Sequence, residues 1–308
     1  MTEPAIGSGF LDPGDFKNLI EANPWVKQIE LSNYGEMFLN PHLLIMMQYA
    51  WERKVTLCAD NGVNLNTASE EVLEGLVKYR FRSMSCSIDG ASPETYAQYR
   101  IGGDFGVVME NIGRIVSLKR RYRSHYPLLT WQFVIFGHNE HEIQEARRRA
   151  LELGMDFRLK LSWDSTFSPV KDKELVRKKM GAASREEYRE RYGIEYSQDM
   201  CRQLWDQPCI NWDGKILGCA RNFWGDFGGN AFAGGLLNSL NSEGIRYARD
   251  MIRGKAGQRD DLPCATCSIY LDMKASNRYL YHSWSYVAVR SVYRRMKVGR
   301  FLHKVGLR

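Results

Sequence analysis

Five of the seven cysteines, Cys201, Cys209, Cys219, Cys264 and Cys267, fall within 67 residues of a 308-residue chain. Four of them form the pattern Cys201-x12-Gly214-x4-Cys219 followed by Cys264-x2-Cys267. Thiolates from two such pairs, one beside the turn-forming Asp213-Gly214, suit a four-coordinate zinc or a cubane iron–sulfur cluster. An odd cysteine count leaves one unpaired in any bridging scheme, and the clustering fits metal ligation in a reducing interior better than a disulfide scaffold. Cys209, preceded by Pro208, reads as a buried free thiol. Cys58 and Cys86 lie inside apolar runs and read as core thiols.

A second set of polar residues recurs at regular places in the first half. Ser32-Asn33 with Glu36, Asp60-Asn61-Gly62, Ser87 with Asp89-Gly90, Gly137-His138 and Asp164 each follow a short β-rich run. Any one of these is an ordinary turn sequence. Five in succession point to a common site at the carboxyl ends of parallel strands. His138 and His141 are spaced for one helix face, but His138 precedes the predicted helix, so both belong to a solvated loop. The aromatics Trp205, Trp212, Phe223, Trp224, Phe227 and Phe232 suit packing around a small cluster domain better than a substrate wall.

The elements that must position these residues are legible from periodicity. Asp12-Pro13 opens a helix to Ala22, with Pro24 beyond its end. Strands are predicted at Val26–Leu31, Val55–Ala59, Arg82–Ile88, Leu128–Phe136 and Phe157–Trp163. Helices are predicted at Pro41–Arg53, from a cap at Thr67 or Ser69 to Tyr79, and at Ser92–Tyr99, Phe105–Tyr122 and Glu140–Leu153. Strands separated by helical crossovers imply a parallel sheet. The polar strand ends favour a (β/α) barrel over an open sheet. Residues 1–165 form this unit, 166–199 a charged helical connector, 200–272 the cysteine-rich unit, and 273–308 a basic aromatic tail.

These residues resemble the radical S-adenosylmethionine enzymes with a SPASM-like auxiliary iron–sulfur domain. The likeness covers roughly residues 10 to 270. It is carried by Glu30-Leu-Ser-Asn-Tyr-Gly35-Glu36, by Ser85-Cys-Ser-Ile-Asp89-Gly90-Ala-Ser-Pro-Glu94-Thr-Tyr96 with Tyr99-Arg100-Ile-Gly-Gly103, by Val134-Ile135-Phe-Gly137, and by the cysteine pattern. The resemblance implies that Gly35 and Glu36 meet the methionyl amine of S-adenosylmethionine. It places Ser87 and Asp89 near its ribose or carboxylate, Arg100 near the carboxylate, and Ile135 and Gly137 beside adenine. It implies one auxiliary [4Fe–4S] cluster on Cys201, Cys219, Cys264 and Cys267. A carboxylate suits an ammonium, and a guanidinium suits a carboxylate, as this assignment requires.

The family binds its catalytic [4Fe–4S] cluster with Cys-x3-Cys-x2-Cys after the first strand, and no cysteine occurs here before Cys58. The expected fold is therefore α/β: a partial (β/α)6 TIM-like barrel lacking its first strand, then the cysteine-rich iron–sulfur domain and a basic helical tail. Two explanations compete. In one, Met1 lies inside a longer enzyme whose complete form carries the catalytic cluster and generates a 5′-deoxyadenosyl radical. In the other, the chain is a degenerate, non-catalytic member that binds a metal or a nucleoside. The intact downstream motifs favour the first. The resemblance implies an electron donor and a peptide, protein or small-molecule substrate.

Composition sets the outer bounds. At 44% hydrophobic and 26% charged residues the chain is ordinary globular protein, which excludes disordered, collagenous and coiled-coil classes. No run of about 18 apolar residues and no signal-like start is present, so a cytoplasmic location is expected. The net charge of +7 is concentrated: nine of the 43 Lys and Arg, and none of the 36 Asp and Glu, lie from Met273 onward. That pattern argues against a nucleic-acid partner gripped by the whole molecule. The basic aromatic tail reads first as a solvated helix packed on the body, with peripheral contact with an anionic membrane surface as the alternative.

Overall fold

A computed structural model describes residues 5–280. The first half alternates helix and strand: α1 (Pro13–Ala22), β1 (Gln28–Glu30), α2 (Leu43–Glu52), β2 (Thr56–Val63), α3 (Glu70–Lys78), β3 (Ser83–Ser87), α4 (Pro93–Tyr99), α5 (Phe105–Arg121), β4 (Leu128–Ile135), α6 (Ile143–Glu152) and β5 (Asp156–Leu161). Local chemistry sets the helix starts. Asp12, Ser69, Ser92 and Asp104 each accept a hydrogen bond from a first-turn amide, and Pro13 and Pro93 occupy first positions where no amide is needed.

The five strands are all parallel and lie in sequence order, β1-β2-β3-β4-β5. With right-handed crossovers, that order puts every crossover helix on one face. The sequence alternates to match. Ile29, Leu57, Met84, Cys86, Leu129, Trp131, Phe133 and Ile135 share the face that packs against the helices. Glu30, Cys58, Ser85, Ser87, Gln132, Arg158 and Lys160 share the other.

That polar face is concave. Arg158 on β5 reaches the Asp60 carbonyl and Lys160 reaches the Asn61 carbonyl, both on β2. Three strand spacings separate these strands in a flat sheet, roughly 14 Å, farther than either side chain extends. The sheet therefore curls as a barrel segment does, in agreement with the expected partial barrel. The largest strand-boundary difference from the sequence reading is at β2, which continues through Asp60-Asn61-Gly62 to Val63. A register shift between Ala59 and Val63 absorbs these residues, with Gly62 at φ +145°.

The charged segment after β5 forms α7 (Lys173–Met180) and α8 (Arg185–Tyr192), each closed by a left-handed glycine, Gly181 and Gly193. The cysteine-rich part has little regular structure: α9 (Gln203–Asp206), a two-stranded antiparallel pair β6 (Cys209–Ile210) and β7 (Ile216–Gly218), then α10 (Leu236–Leu240), α11 (Glu243–Met251) and α12 (Ser268–Ser276). Its separate core gathers Leu204, Ile216, Phe227, Ile245, Met251 and Tyr270. The expected boundary at 272/273 falls within α12, whose Met273 is buried in that core. The rest of the predicted tail, residues 281–308, lies outside the described residues. Among the described residues no helix is long and apolar enough to cross a membrane.

Candidate active site and cysteine centre

The loop after β1 carries Gly35 and Glu36. Gly35 sits at φ +78° with nothing within 4 Å of where a Cβ would stand, so its requirement is the backbone turn itself. Glu36 is half-buried. Its carboxylate accepts the Asn64 amide at 2.6 Å and the Phe38 amide at 3.2 Å, and burial pushes its carboxyl above the usual range. The two amides fix where the charge points, and each oxygen retains acceptor capacity.

Beyond β3, Asp89 is fully buried in a left-handed conformation, φ +53°. One carboxylate oxygen accepts the Val134 amide at 2.6 Å, and the other accepts a two-pronged contact from Arg100, whose Nε lies at 2.8 Å. Asn139 ties this corner together by donating to the carbonyls of Asp89 and Val134. The sequence reading aimed Asp89 and Arg100 at a ligand separately. The structure pairs them with each other, eleven residues apart, because a buried carboxylate requires a counter-charge. Ser87 is buried, with its hydroxyl 3.4 Å from the Gln132 amide nitrogen. A Cβ on Gly62 would stand 2.6 Å from that hydroxyl, so the three residues meet closely.

Ile135 and Gly137, expected beside a flat base, end β4 and begin the loop after it. Ile135 is buried on the helix-packed face. Gly137 donates its amide to the Ser168 carbonyl at 2.7 Å, and a Cβ there would overlap the Pro169 carbonyl oxygen. The glycine thus admits a chain segment from beyond β5. Ile135, Phe136, Ser162, Phe167 and Pro169 also line a cavity of about 440 Å³ beside α7 and α8. His138 is not a solvated loop residue: its Nδ1 lies 2.8 Å from the Ser168 hydroxyl, its ring stacks on Phe136, and burial lowers its pKa.

Cys201, Cys219, Cys264 and Cys267 converge on one cavity, with Trp224, Phe227 and Tyr270 completing its wall. All four are free thiols. Burial first, and then Cys219, Cys264 and Cys267, push Cys201 well above the ordinary thiol range. The Arg221 and Asn222 amides donate to Cys219, and the Arg221 guanidinium offsets part of the effect of burial on it. Trp224 and Phe227 pack here, as the packing alternative for the aromatics required.

Cys209 stands apart. Its sulfur accepts from the Asn33 amide at 3.2 Å, and burial pushes the thiol up to about 12. Tyr34 donates to the Ala220 carbonyl at 2.8 Å and meets Phe223 edge-on. The loop that carries Gly35 and Glu36 is therefore docked on the β6–β7 hairpin beside Cys219. Cys58 and Cys86 are buried, as expected. Sequence reasoning passed over the trio Glu30, Cys58 and Asp60, whose ligand atoms lie within 4.8 Å of one another. It also missed Gln132, Arg158 and Lys160, for which only strand alternation carried a signal.

A sequential parallel sheet with helices on one face and a polar concave face is a partial (β/α) barrel. Two solved structures share it. The crystal structure of Streptococcus suis SuiB aligns with a TM-score of 0.56 at 16% identity, over 84% of this chain and 64% of that one. SuiB bound to S-adenosylmethionine aligns with a TM-score of 0.57 at 15% identity, over 88% and 66%. In both alignments the chain spans less than two thirds of SuiB's own length. No family model and no curated protein matches the sequence.

Proposed function

We propose that this chain binds S-adenosylmethionine at the carboxyl ends of its strands and holds a [4Fe–4S] cluster on Cys201, Cys219, Cys264 and Cys267, as part of a radical-type enzyme. The observation that carries the reading is the shared loop. Asn33 and Tyr34 are docked beside Cys209 and Cys219, and the next two residues, Gly35 and Glu36, would form the ligand-facing turn. A cofactor on that turn and a cluster on the four cysteines would lie on either side of one segment.

The cysteines suit the cluster chemically. Four thiols in one buried cavity cannot all ionise against one another without a cationic core to compensate. A tetrahedral zinc with Zn–S bonds of about 2.3 Å would draw its sulfurs to about 3.8 Å apart. The same four thiols are open to either centre, and a cubane is preferred here on the cysteine spacing, Cys201-x12-Gly214-x4-Cys219 with Cys264-x2-Cys267. The cluster, when bound, would supply one-electron transfer. Glu36 would receive the methionyl ammonium, and the Ser87–Gly62–Gln132 contact would form the floor under the nucleoside.

A second reading, a binding module without radical chemistry, draws on the remaining cysteines. Cys58 and Cys86 are buried in β2 and β3, away from the four gathered thiols, so among the described residues the cysteines supply one cluster only.

Titration with S-adenosylmethionine tests the cofactor assignment. Glu36→Gln keeps an amide-accepting oxygen but removes the charge. It should weaken S-adenosylmethionine about tenfold and leave 5′-methylthioadenosine, which lacks the ammonium, unchanged. Equal affinity for S-adenosylmethionine in both proteins would remove Glu36 from the site.

A further inference from the structure

We propose that Arg158 and Lys160 recognise an anionic group, a carboxylate or a phosphate, on the substrate that binds over the concave face of the sheet. This inference rests on the proposed function for its place in a reaction, although the anion site itself can be tested without it. The two residues occupy alternate positions of β5, so both side chains leave the same face, in register with Gln132 and Val134 of β4. Arg158 reaches the Ser85 hydroxyl at 3.3 Å and the Asp60 carbonyl at 3.5 Å, and Lys160 reaches the Asn61 carbonyl at 3.4 Å. These are long contacts to neutral partners. Among the described residues neither cation is in an ion pair.

The buried carboxylates nearby are already committed, and the exposed Asp60 carboxylate forms no ion pair with either cation among the described residues. Asp89 is held by Arg100 and the Val134 amide, and Glu30 accepts from Ser32 and the Asp60 amide. The charges around Lys160 are mainly of its own sign: Arg158, Arg185 and Arg100, against Asp89. Burial leads in pushing its ammonium down to about 8, and these arginines add to the shift. Beside the pair Gln132, 5% exposed, has its Oε1 without a hydrogen-bond partner. Apolar residues would fold this strand at lower cost than two half-buried cations without counter-charge. An incoming anion removes that cost.

The position favours substrate over cofactor. Trp163, just past β5, is covered by the Arg185 guanidinium at 3.4 Å and the Arg221 guanidinium at 4.5 Å. Arg221 is two residues from Cys219, and its buried Nε has no partner. The cations thus line the side of the sheet that leads to the cysteine centre, across the face from Glu36 on the β1 loop. A group held there lies on the concave face, where Trp163 and Arg221 connect it to the cysteine centre.

The test is calorimetric titration of the full chain as wild type, Arg158→Met, Lys160→Met and Lys160→Arg, with thermal melts confirming that each is folded. The probes are inorganic phosphate, S-adenosylmethionine and 5′-methylthioadenosine, which lacks the cofactor's carboxylate. Phosphate affinity should fall at least about tenfold in both methionine variants and recover in Lys160→Arg. S-adenosylmethionine affinity should stay within about twofold throughout. Phosphate affinity that is absent from wild type, or equal in all four proteins, overturns the proposal. So does a tenfold loss of S-adenosylmethionine in the methionine variants with methylthioadenosine unchanged, because the cations would then serve the cofactor. A wild type that binds phosphate but not S-adenosylmethionine supports the anion site while sinking the cofactor assignment.

Discussion

The sheet unit and the cysteine unit reach a folded state by different means. In the first, strand alternation separates the two tasks. Trp131, Phe133 and Met84 fill the helix-covered face, while Ser85, Gln132 and Arg158 on the other face are free for chemistry. In the second, β6 and β7 are only two and three residues long, and the loops between Cys219 and Leu236 are rich in glycine. Two of the four proposed ligands, Cys264 and Cys267, lie on one short turn against Trp224 and Tyr270, so the same residues serve binding and stability. Stability and function should therefore be separable by mutation in the sheet unit and inseparable in the cysteine unit.

The largest separable effect should come from Trp131→Ala. The ring is fully buried between strand and helices, and its loss should cost about 3–5 kcal/mol in urea unfolding while leaving iron uptake by the cysteine unit intact. Equal loss of iron would mean that the two units fold as one. Two glycines at the strand ends sharpen the point. Gly137→Ala forces a Cβ onto the Pro169 carbonyl and should cost about 1–3 kcal/mol, with the 168–170 loop displaced. Gly35→Ala meets open space and should cost only the left-handed strain, about 1 kcal/mol. A Gly137→Ala protein as stable as Gly35→Ala would contradict the close approach.

The smallest effect has a definite sign. Lys160 is held at about 8 in the fold against an ordinary value of 10.5, so between those values the unfolded chain binds more protons. Wild-type stability therefore gains with rising pH across that window. Lys160→Met should be more stable than wild type near pH 7, by on the order of 1 kcal/mol after screening of a half-buried group. The advantage should shrink as pH rises from 8 and vanish above about 10.5. A difference independent of pH would show that Lys160 is not titrating there.

Much of this was legible in the sequence because periodicity and spacing are local signals. Each of the five predicted strands is present, as are the helices between them, and the Cys-x12-Gly-x4-Cys and Cys-x2-Cys pairs meet at one cavity. What was not legible depends on partners far along the chain. Nothing local announces that Arg100 would be spent on Asp89, or that Gly137 makes room for Pro169. Asp60-Asn61-Gly62 reads as a turn because its composition is that of a turn, yet a bulge carries it within β2. Arg158 and Lys160 read as alternation, and their lack of counter-charge emerges only when the sheet curls and brings β5 over β2.

The most direct test of the central claim is iron and sulfide content after anaerobic reconstitution, for wild type beside Cys264→Ser. The account predicts that wild type is brown and holds iron and sulfide in equal amounts. It predicts that Cys264→Ser loses most of both and becomes protease-sensitive within residues 200–280, while the sheet unit stays resistant. Unchanged iron in Cys264→Ser, or a colourless wild type that holds zinc, would contradict it.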